Sequence, residues 1–376
     1  MYAWEYLIHL IYCTVNGTQP SEKPEEVSFS DVLSIGKAHE VANIAFLSVE
    51  KLENKPDEKV FNEWRDAYYL SVQRDSRQWL TREKLVKFLH KNGIRTLEAQ
   101  GTVTKLLYPS TELRMMSDID FIIDAENLEK AEGLMSGLGY DIDTLIPGEF
   151  NAQSPGKEQI EFHTDFFTEY MFNRKERYSS AVSAPFEHAV PSDEDPLSFR
   201  LNDTYFYLYS VLHTIKHYET AGCGIRRILD LYFLKKEYEN KTDTELINSI
   251  IDSNGFRESY EKLFALEALW FENRESELDL SETVNDVVLS GNHGTSSVFV
   301  RNNVRKDEQE GIKFPRLKRI IDFIFPSREY ICLGYPECRE RGYSTAMCRL
   351  YRIYATLKKF RFSHTLRYIK SVLKSK

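Results

Sequence analysis

Apolar residues recur at helical spacing through the first ninety residues of the chain. The opening run MYAWEYLIHLIYCTV, the segment Val41–Leu52 and the long stretch Val60–Leu89 follow this spacing, and Asn92-Gly93 supplies a stop signal. The texture then changes. Ile94–Leu97 predicts a short strand, and Gly101 opens a helix over Thr102–Leu107 that stops at Pro109. Ile119–Ile123 reads as a β-branched apolar strand, and Ala125–Leu138 returns to the helical period and closes at Gly139. Tyr140–Leu145 and Gln159–Phe162 complete the strand candidates. From Asn202 onward the helical pattern resumes over Asp203–Tyr218, Ile225–Tyr238, Thr242–Ser253 and Arg257–Phe271. Gly291–Ser297 has loop composition, and Leu317–Phe325 and Leu350–Leu373 read as basic amphipathic helices. There are no repeats. The order predicts an α+β protein with a helical region over 1–92 and a small mixed-sheet core over 93–180. A helical domain over 181–325 and a basic helical tail over 326–376 follow.

Composition narrows the class. A chain of 376 residues with 42% hydrophobic and 13% aromatic content has ample material for a core, which excludes a largely disordered polypeptide. The five cysteines form no CxxC pair, so neither a disulfide framework nor a thiolate zinc site is expected. The N-terminal run lacks a basic flank and is interrupted by Glu5 and His9, so a buried helix rather than a signal peptide is expected there. No apolar run approaches the roughly 18 residues of a membrane span, and the expectation is a cytoplasmic protein.

Charge is unevenly placed. Residues 315–376 carry 15 Lys and Arg against 4 Asp and Glu, while the remainder carries 34 against 54. A basic tail on an acidic body docks on that body or meets a phosphate-rich partner. Tyr351, Tyr354, Phe360, Phe362 and Tyr368 interleave with its basic residues, a mixture that can bind nucleic acid or an anionic glycan. The acidic body argues against wide capture of nucleic acid, so a covering helix with snorkelling lysines is the preferred reading.

The chemistry concentrates in Arg114-Met-Met-Ser117-Asp118-Ile-Asp120. Alternation puts Asp118 and Asp120 on one strand face, about 7 Å apart. Two carboxylates so placed repel unless a cation lies between them, and hard divalent ions such as magnesium suit carboxylate oxygens. The other reading is a strand end whose aspartates face water. Upstream, Gly101-Thr102 at a helix start allows close approach of a phosphate, although helix caps use the same residues. Downstream, Glu161 sits between Ile160 and Phe162 in a strand, awkward in a dry core but suited to be a third ligand converging on the aspartates. His163 alternates onto the same face. Arg114 can offer a bidentate phosphate contact or be a surface turn residue. His213 and His217, at i and i+4, can bind zinc, line a nucleotide cleft or pack in a helix interface; no third zinc ligand is evident. Arg226 and Asp230 have the spacing of an intrahelical ion pair.

The order Gly-Thr, Asp-x-Asp, then an acid flanked by hydrophobics resembles the nucleotidyltransferase superfamily related to DNA polymerase beta. More closely it resembles the uncharacterised nucleotidyltransferase family often encoded in bacterial polysaccharide gene clusters. The resemblance is carried by Gly101, Leu107-Tyr108-Pro109, Arg114, Asp118-Ile119-Asp120, Gly139-Tyr140 and Glu161-Phe162-His163. His213, His217, Arg226-Arg227, Asp230 and Phe325-Pro326-Ser327 extend it over most of the chain. It implies a nucleotidyltransferase-like fold in which Asp118, Asp120 and Glu161 are catalytic and hold two magnesium ions. Gly101, Thr102, Arg114 and Ser117 would contact the nucleotide, with His163, His213 and His217 behind the metal ligands. The implied substrates are a nucleoside triphosphate, ATP among them, and a hydroxyl or phosphate acceptor, a small molecule or sugar derivative first and a protein second. One departure stands out. The family's usual leucine-lysine-glycine is here Ala99-Gln100-Gly101, which removes a cation and keeps open a catalytically silent binding or assembly module.

Overall fold

The computed structural model describes residues 1–144, 148–167, 175–193, 195–335, 337–358 and 372. Four helices precede the first strand: α1 (Ala3–Asn16), α2 (Phe29–Ala38), α3 (Ala42–Val49) and α4 (Glu58–Lys91). Helix α4 starts where the Asp57 carboxylate accepts from the Val60 amide at 3.0 Å. It ends at Asn92, followed by Gly93 at φ +71°, a left-handed conformation that favours glycine. Its buried positions Trp64, Ser71, Gln78, Leu85 and Leu89 trace one narrow stripe, so a 34-residue helix with a polar average still has a single inward seam.

The strands are β1 (Thr96–Glu98), β2 (Asp118–Ile122), β3 (Asp141–Asp143), β4 (Glu149–Gln153), β5 (Gln159–His163), β6 (Ala189–Pro191) and β7 (Ser198–Leu201). They form one sheet in the order β3-β4-β5-β2-β1-β7-β6, with β2–β5 and β1–β7 parallel and the other pairs antiparallel. Helices α5 (Gly101–Thr104), α6 (Leu128–Gly137) and α7 (Lys175–Ala181) lie between strands. The expected helix over Thr102–Leu107 is one α turn followed by a 3-10 turn, and Leu145 of the expected third strand lies outside the described residues. Strands β4, β6 and β7 were not expected. β4 offers only Phe150 and Ala152 as apolar positions, and β6 ends in Pro191 at the sheet edge, where a missing amide costs no ladder bond.

Alternation separates the two sheet faces. Ile119, Phe121, Phe150, Ala152, Ile160 and Phe162 pack with Leu85 and Leu89 of α4 and Ala131 and Met135 of α6. Every intervening polar residue of β2, β4 and β5 is thereby turned to the opposite face.

Helices α8 (Asp203–Glu219), α9 (Ile225–Tyr238), α10 (Thr244–Ser253), α11 (Arg257–Phe271) and α12 (Ser281–Ser290) follow the sheet. Residues 1–216 and 223–292 form one compact unit. Within it, Arg114 is buried and its guanidinium grips Asp230 of α9, Nε to Oδ1 at 2.7 Å and Nη2 to Oδ2 at 2.8 Å. The Tyr108 hydroxyl donates to the same Oδ1 at 2.7 Å. Burial alone would raise the Asp230 pKa, but Arg114 holds it below the usual carboxylate range. The expected Arg226–Asp230 pair does not form as a hydrogen bond. Arg226 Nη1 donates instead to Glu40 Oε2 at 2.6 Å and to the Met115 carbonyl.

Residues 217–222 and 293–376 form the second unit, with α13 (Ser296–Gln309), α14 (Pro315–Ile324), α15 (Arg328–Gly334), α16 (Glu337–Glu340) and α17 (Thr345–Lys358). Buried Asp307 is held there by both forks of Arg319 at 2.5 and 2.8 Å. Cys332, Cys338 and Cys348 share a small core, and all five cysteines are free thiols. Beyond Lys358, the expected helix over Leu350–Leu373 lies outside the described residues except for Val372, and Phe360, Phe362 and Tyr368 go with it. No helix among the described residues is long and apolar enough to cross a membrane.

The buried Arg114–Asp230 pair generates a stability prediction. Asp230→Asn leaves the Arg114 charge buried and uncompensated, and urea unfolding is expected to show a loss of about 3–5 kcal/mol. Arg114→Met/Asp230→Leu, which removes both charges, is expected to recover a large part of that loss.

Candidate functional site

The polar face of the sheet collects Glu149 from β4, Glu161 and His163 from β5, and Asp118 and Asp120 from β2. Parallel pairing sets Asp120 directly opposite Glu161, and antiparallel pairing sets Glu149 opposite His163. His163 Nε2 stands 3.5 Å from Asp120 Oδ1 and 3.5 Å from Glu161 Oε2, while Nδ1 meets Glu149 Oε2 at 3.2 Å. A carboxylate only accepts, so Nδ1 carries a proton. Burial disfavours the charged imidazole, but hydrogen bonds to Asp120, Glu149 and Glu161 outweigh it and raise the His163 pKa well above its ordinary value. Ligand atoms of Asp120, Glu161 and His163 lie within 4.8 Å of one another, a donor set that fits a divalent cation.

Asp118 completes the acidic face two residues before Asp120. Burial raises its pKa to about 7, and repulsion from Asp120 and Glu161 adds to the rise, opposed by Arg226 and Arg227. Those arginines come from the start of α9. Arg227 is pulled down to about 10, first by burial and then by Arg226. Its Nη1 donates to His213 Nδ1 at 3.3 Å, and its Nε has no hydrogen-bond partner among the described residues. Lys216 on α8 is lowered to about 8 by burial and Arg227, while Asp120, Glu149 and Glu161 act to raise it. Acidic sheet face and basic helices therefore sense one another directly.

The glycine segment leads in beside them. A Cβ at Gly101 would stand 2.6 Å from Met116 Sδ, so a larger residue here would have to displace the Met116 side chain on the segment that enters β2. Thr102 is buried and its hydroxyl has no partner among the described residues. Arg114 is neither a surface turn residue nor free to fork onto a phosphate. Its Nε and Nη2 are bound to Asp230, and Nη1 is turned toward the Gly101 carbonyl at 3.4 Å. Ser117 is half-buried at the entry to β2, with its carbonyl accepting from Arg74 Nη2 at 3.4 Å. A narrow cleft is lined by Gln100, Thr104, Arg114, Ser210, His213 and Arg227, among others. His213 thus lies in that cleft, while His217 is near the end of α8, and neither belongs to the metal-capable cluster among the described residues.

Sequence reasoning missed Glu149, Lys216 and Arg227 as individual site residues. Glu149 carries its signal in the alternation of β4, Glu-Phe-Asn-Ala-Gln, once its pairing with β5 is known. Lys216 lies between His213 and His217, and only its closeness to the sheet acids gives it away.

A family model described as "Uncharacterised nucleotidyltransferase" matches residues 25–272, more than half of the chain. No curated protein and no solved structure matches it.

The Asp118 environment generates a pH prediction with a definite sign. A carboxyl whose folded pKa lies near 7 binds more protons in the native state than in the unfolded state between about pH 4 and 7. Stability of the metal-free protein is expected to fall as pH rises through that window. Asp118→Asn removes this part of the slope, and at pH 7 the variant is expected to exceed wild type by roughly 1 kcal/mol or more in denaturant unfolding.

Proposed function

The chain belongs to the uncharacterised nucleotidyltransferase family, and on that premise we propose that it moves a nucleoside monophosphate from a nucleoside triphosphate to a hydroxyl or phosphate acceptor. The observation that carries this reading is the register of β2 against β5, which sets Asp120 opposite Glu161 with Asp118 on the same face. Burial first, and repulsion from Asp120 and Glu161 after it, push the Asp118 pKa up, so a divalent cation bound among these carboxylates would favour their charged forms.

Asp118, Asp120 and Glu161 would hold two divalent ions. Bound there, such ions polarise phosphate oxygens and acidify the acceptor hydroxyl. The acceptor oxygen bonds to the α-phosphorus, the α–β anhydride bond breaks, pyrophosphate leaves and the hydroxyl proton passes to solvent. The Thr102 hydroxyl, buried without a partner among the described residues, would donate to a phosphate oxygen, with Gly101 and Ser117 framing the same entry.

Arg114 acts as a positioning residue, fixing the Gly101 segment against α9. The cation missing before Gly101 is supplied from elsewhere in the fold. Lys105, the nearest lysine in sequence, is fully buried and bound to Asp75, so it is not available. Arg227, which lowers the Asp118 pKa and lines the cleft, is the better counter-charge for the triphosphate. The acceptor is read as a small polar molecule or sugar derivative.

Magnesium-dependent pyrophosphate release, screened with each nucleoside triphosphate and pooled acceptors, tests the reading. Asp120→Asn and Glu161→Gln are each expected to lower the rate by roughly a hundredfold or more with the melting temperature little changed. Calorimetry of magnesium–nucleotide binding separates the enzyme from a silent binding module. Equal affinity in wild type and Asp118→Asn/Asp120→Asn, or no binding by either, would remove the basis for catalysis. Arg227→Ala is expected to raise the nucleotide KM about tenfold, with a smaller effect on kcat.

A further inference from the structure

His163 is placed where a metal ligand belongs. Its Nε2 is equidistant, at 3.5 Å, from Asp120 Oδ1 and Glu161 Oε2. Adjacent ligand atoms around a six-coordinate divalent ion are about 3 Å apart at ligand bonds of about 2.1 Å. Nε2 therefore needs to close on each of the two oxygens by only about half an ångström, and all three donors already lie within 4.8 Å of one another. The far side of the ring is also arranged. Nδ1 donates to Glu149 Oε2 at 3.2 Å, and β4–β5 pairing places Glu149 opposite His163. A carboxylate that holds one imidazole nitrogen as N–H while the other faces two acidic donors is the arrangement that orients metal-binding histidines.

We propose that His163 Nε2 is a metal ligand together with Asp120 and Glu161. The site is then a mixed nitrogen–oxygen centre that selects first-row transition ions such as manganese(II) over magnesium. The proposal rests on the transferase reading for the presence of a cation and goes beyond it in naming the ion class. Magnesium takes oxygen ligands and parts reluctantly with its water. An imidazole in the donor set lowers its relative affinity and favours ions that accept nitrogen. Glu149 is a positioning residue, acting on the metal through the ring of His163.

The test uses the whole 376-residue chain without nucleotide, with manganese(II) as the probe. Free manganese is followed by electron paramagnetic resonance, with magnesium as competitor. Pulsed measurements on the bound ion report nitrogen coupling. Wild type is expected to bind manganese with a clear nitrogen coupling. His163→Gln is expected to abolish that coupling and to weaken manganese binding about tenfold more than magnesium binding. Glu149→Gln is expected to keep the coupling while weakening manganese binding about 10-fold or more. Melting curves confirm that both variants fold, and Glu149→Gln carries the test if His163→Gln does not. Bound manganese without nitrogen coupling, or equal loss of both ions in His163→Gln, would overturn the ligand assignment and leave the carboxylate site standing. Absence of any manganese or magnesium binding by wild type would overturn this proposal and the metal-dependent transferase reading together.

Discussion

Parallel pairing of β2 with β5 is the constraint on which the site depends. It matches Asp118 with Gln159, Asp120 with Glu161 and Ile122 with His163. Because side chains alternate with a period of two, a slip of one residue would set Asp120 against an apolar neighbour and turn Ile119 and Phe121 outward. The apolar set on the far face, stacked through Phe121, Phe150 and Phe162, therefore locks the acidic set on the near face. Core packing and site geometry are two consequences of one register.

Acids gathered this way are costly without opposite charge, and the helices that follow the sheet supply it. Arg226 and Arg227 begin α9, and Lys216 lies near the end of α8. All three are buried enough for their charges to be disfavoured, yet each is felt electrostatically by the acids or by their neighbours. The Arg114–Asp230 bridge joins these helices to the segment that enters β2. A buried ion pair contributes little net stability, but breaking it is expensive, so its effect is to fix one arrangement of helix against strand.

Much of the fold was legible from local pattern. The stop at Asn92-Gly93, the closure of α6 before Gly139, the Asp-x-Asp strand and the helices from Asp203 to Phe271 follow from periodicity and breaker chemistry. Strands β4, β6 and β7 were not, because β4 offers only Phe150 and Ala152 as apolar positions and each of the three is stabilised by partners in the sheet rather than by its own propensity. Among site residues, Asp118, Asp120, Glu161 and His163 could be singled out by alternation alone. Arg114 could be singled out but not assigned, since only the approach of α9 decides that its fork closes on Asp230.

The sequence by itself determined which residues alternate, where helices stop, and that three acids and a histidine fall on strand faces. Those are properties of a backbone period, set by neighbours along the chain. Only the tertiary structure decided that Glu149 meets His163, that Arg226 and Arg227 act electrostatically on Asp118, and that Thr102 is buried without a partner among the described residues. Such pairings join residues far apart in the chain. They are set by strand register and by how helices dock on the sheet, which no local period encodes.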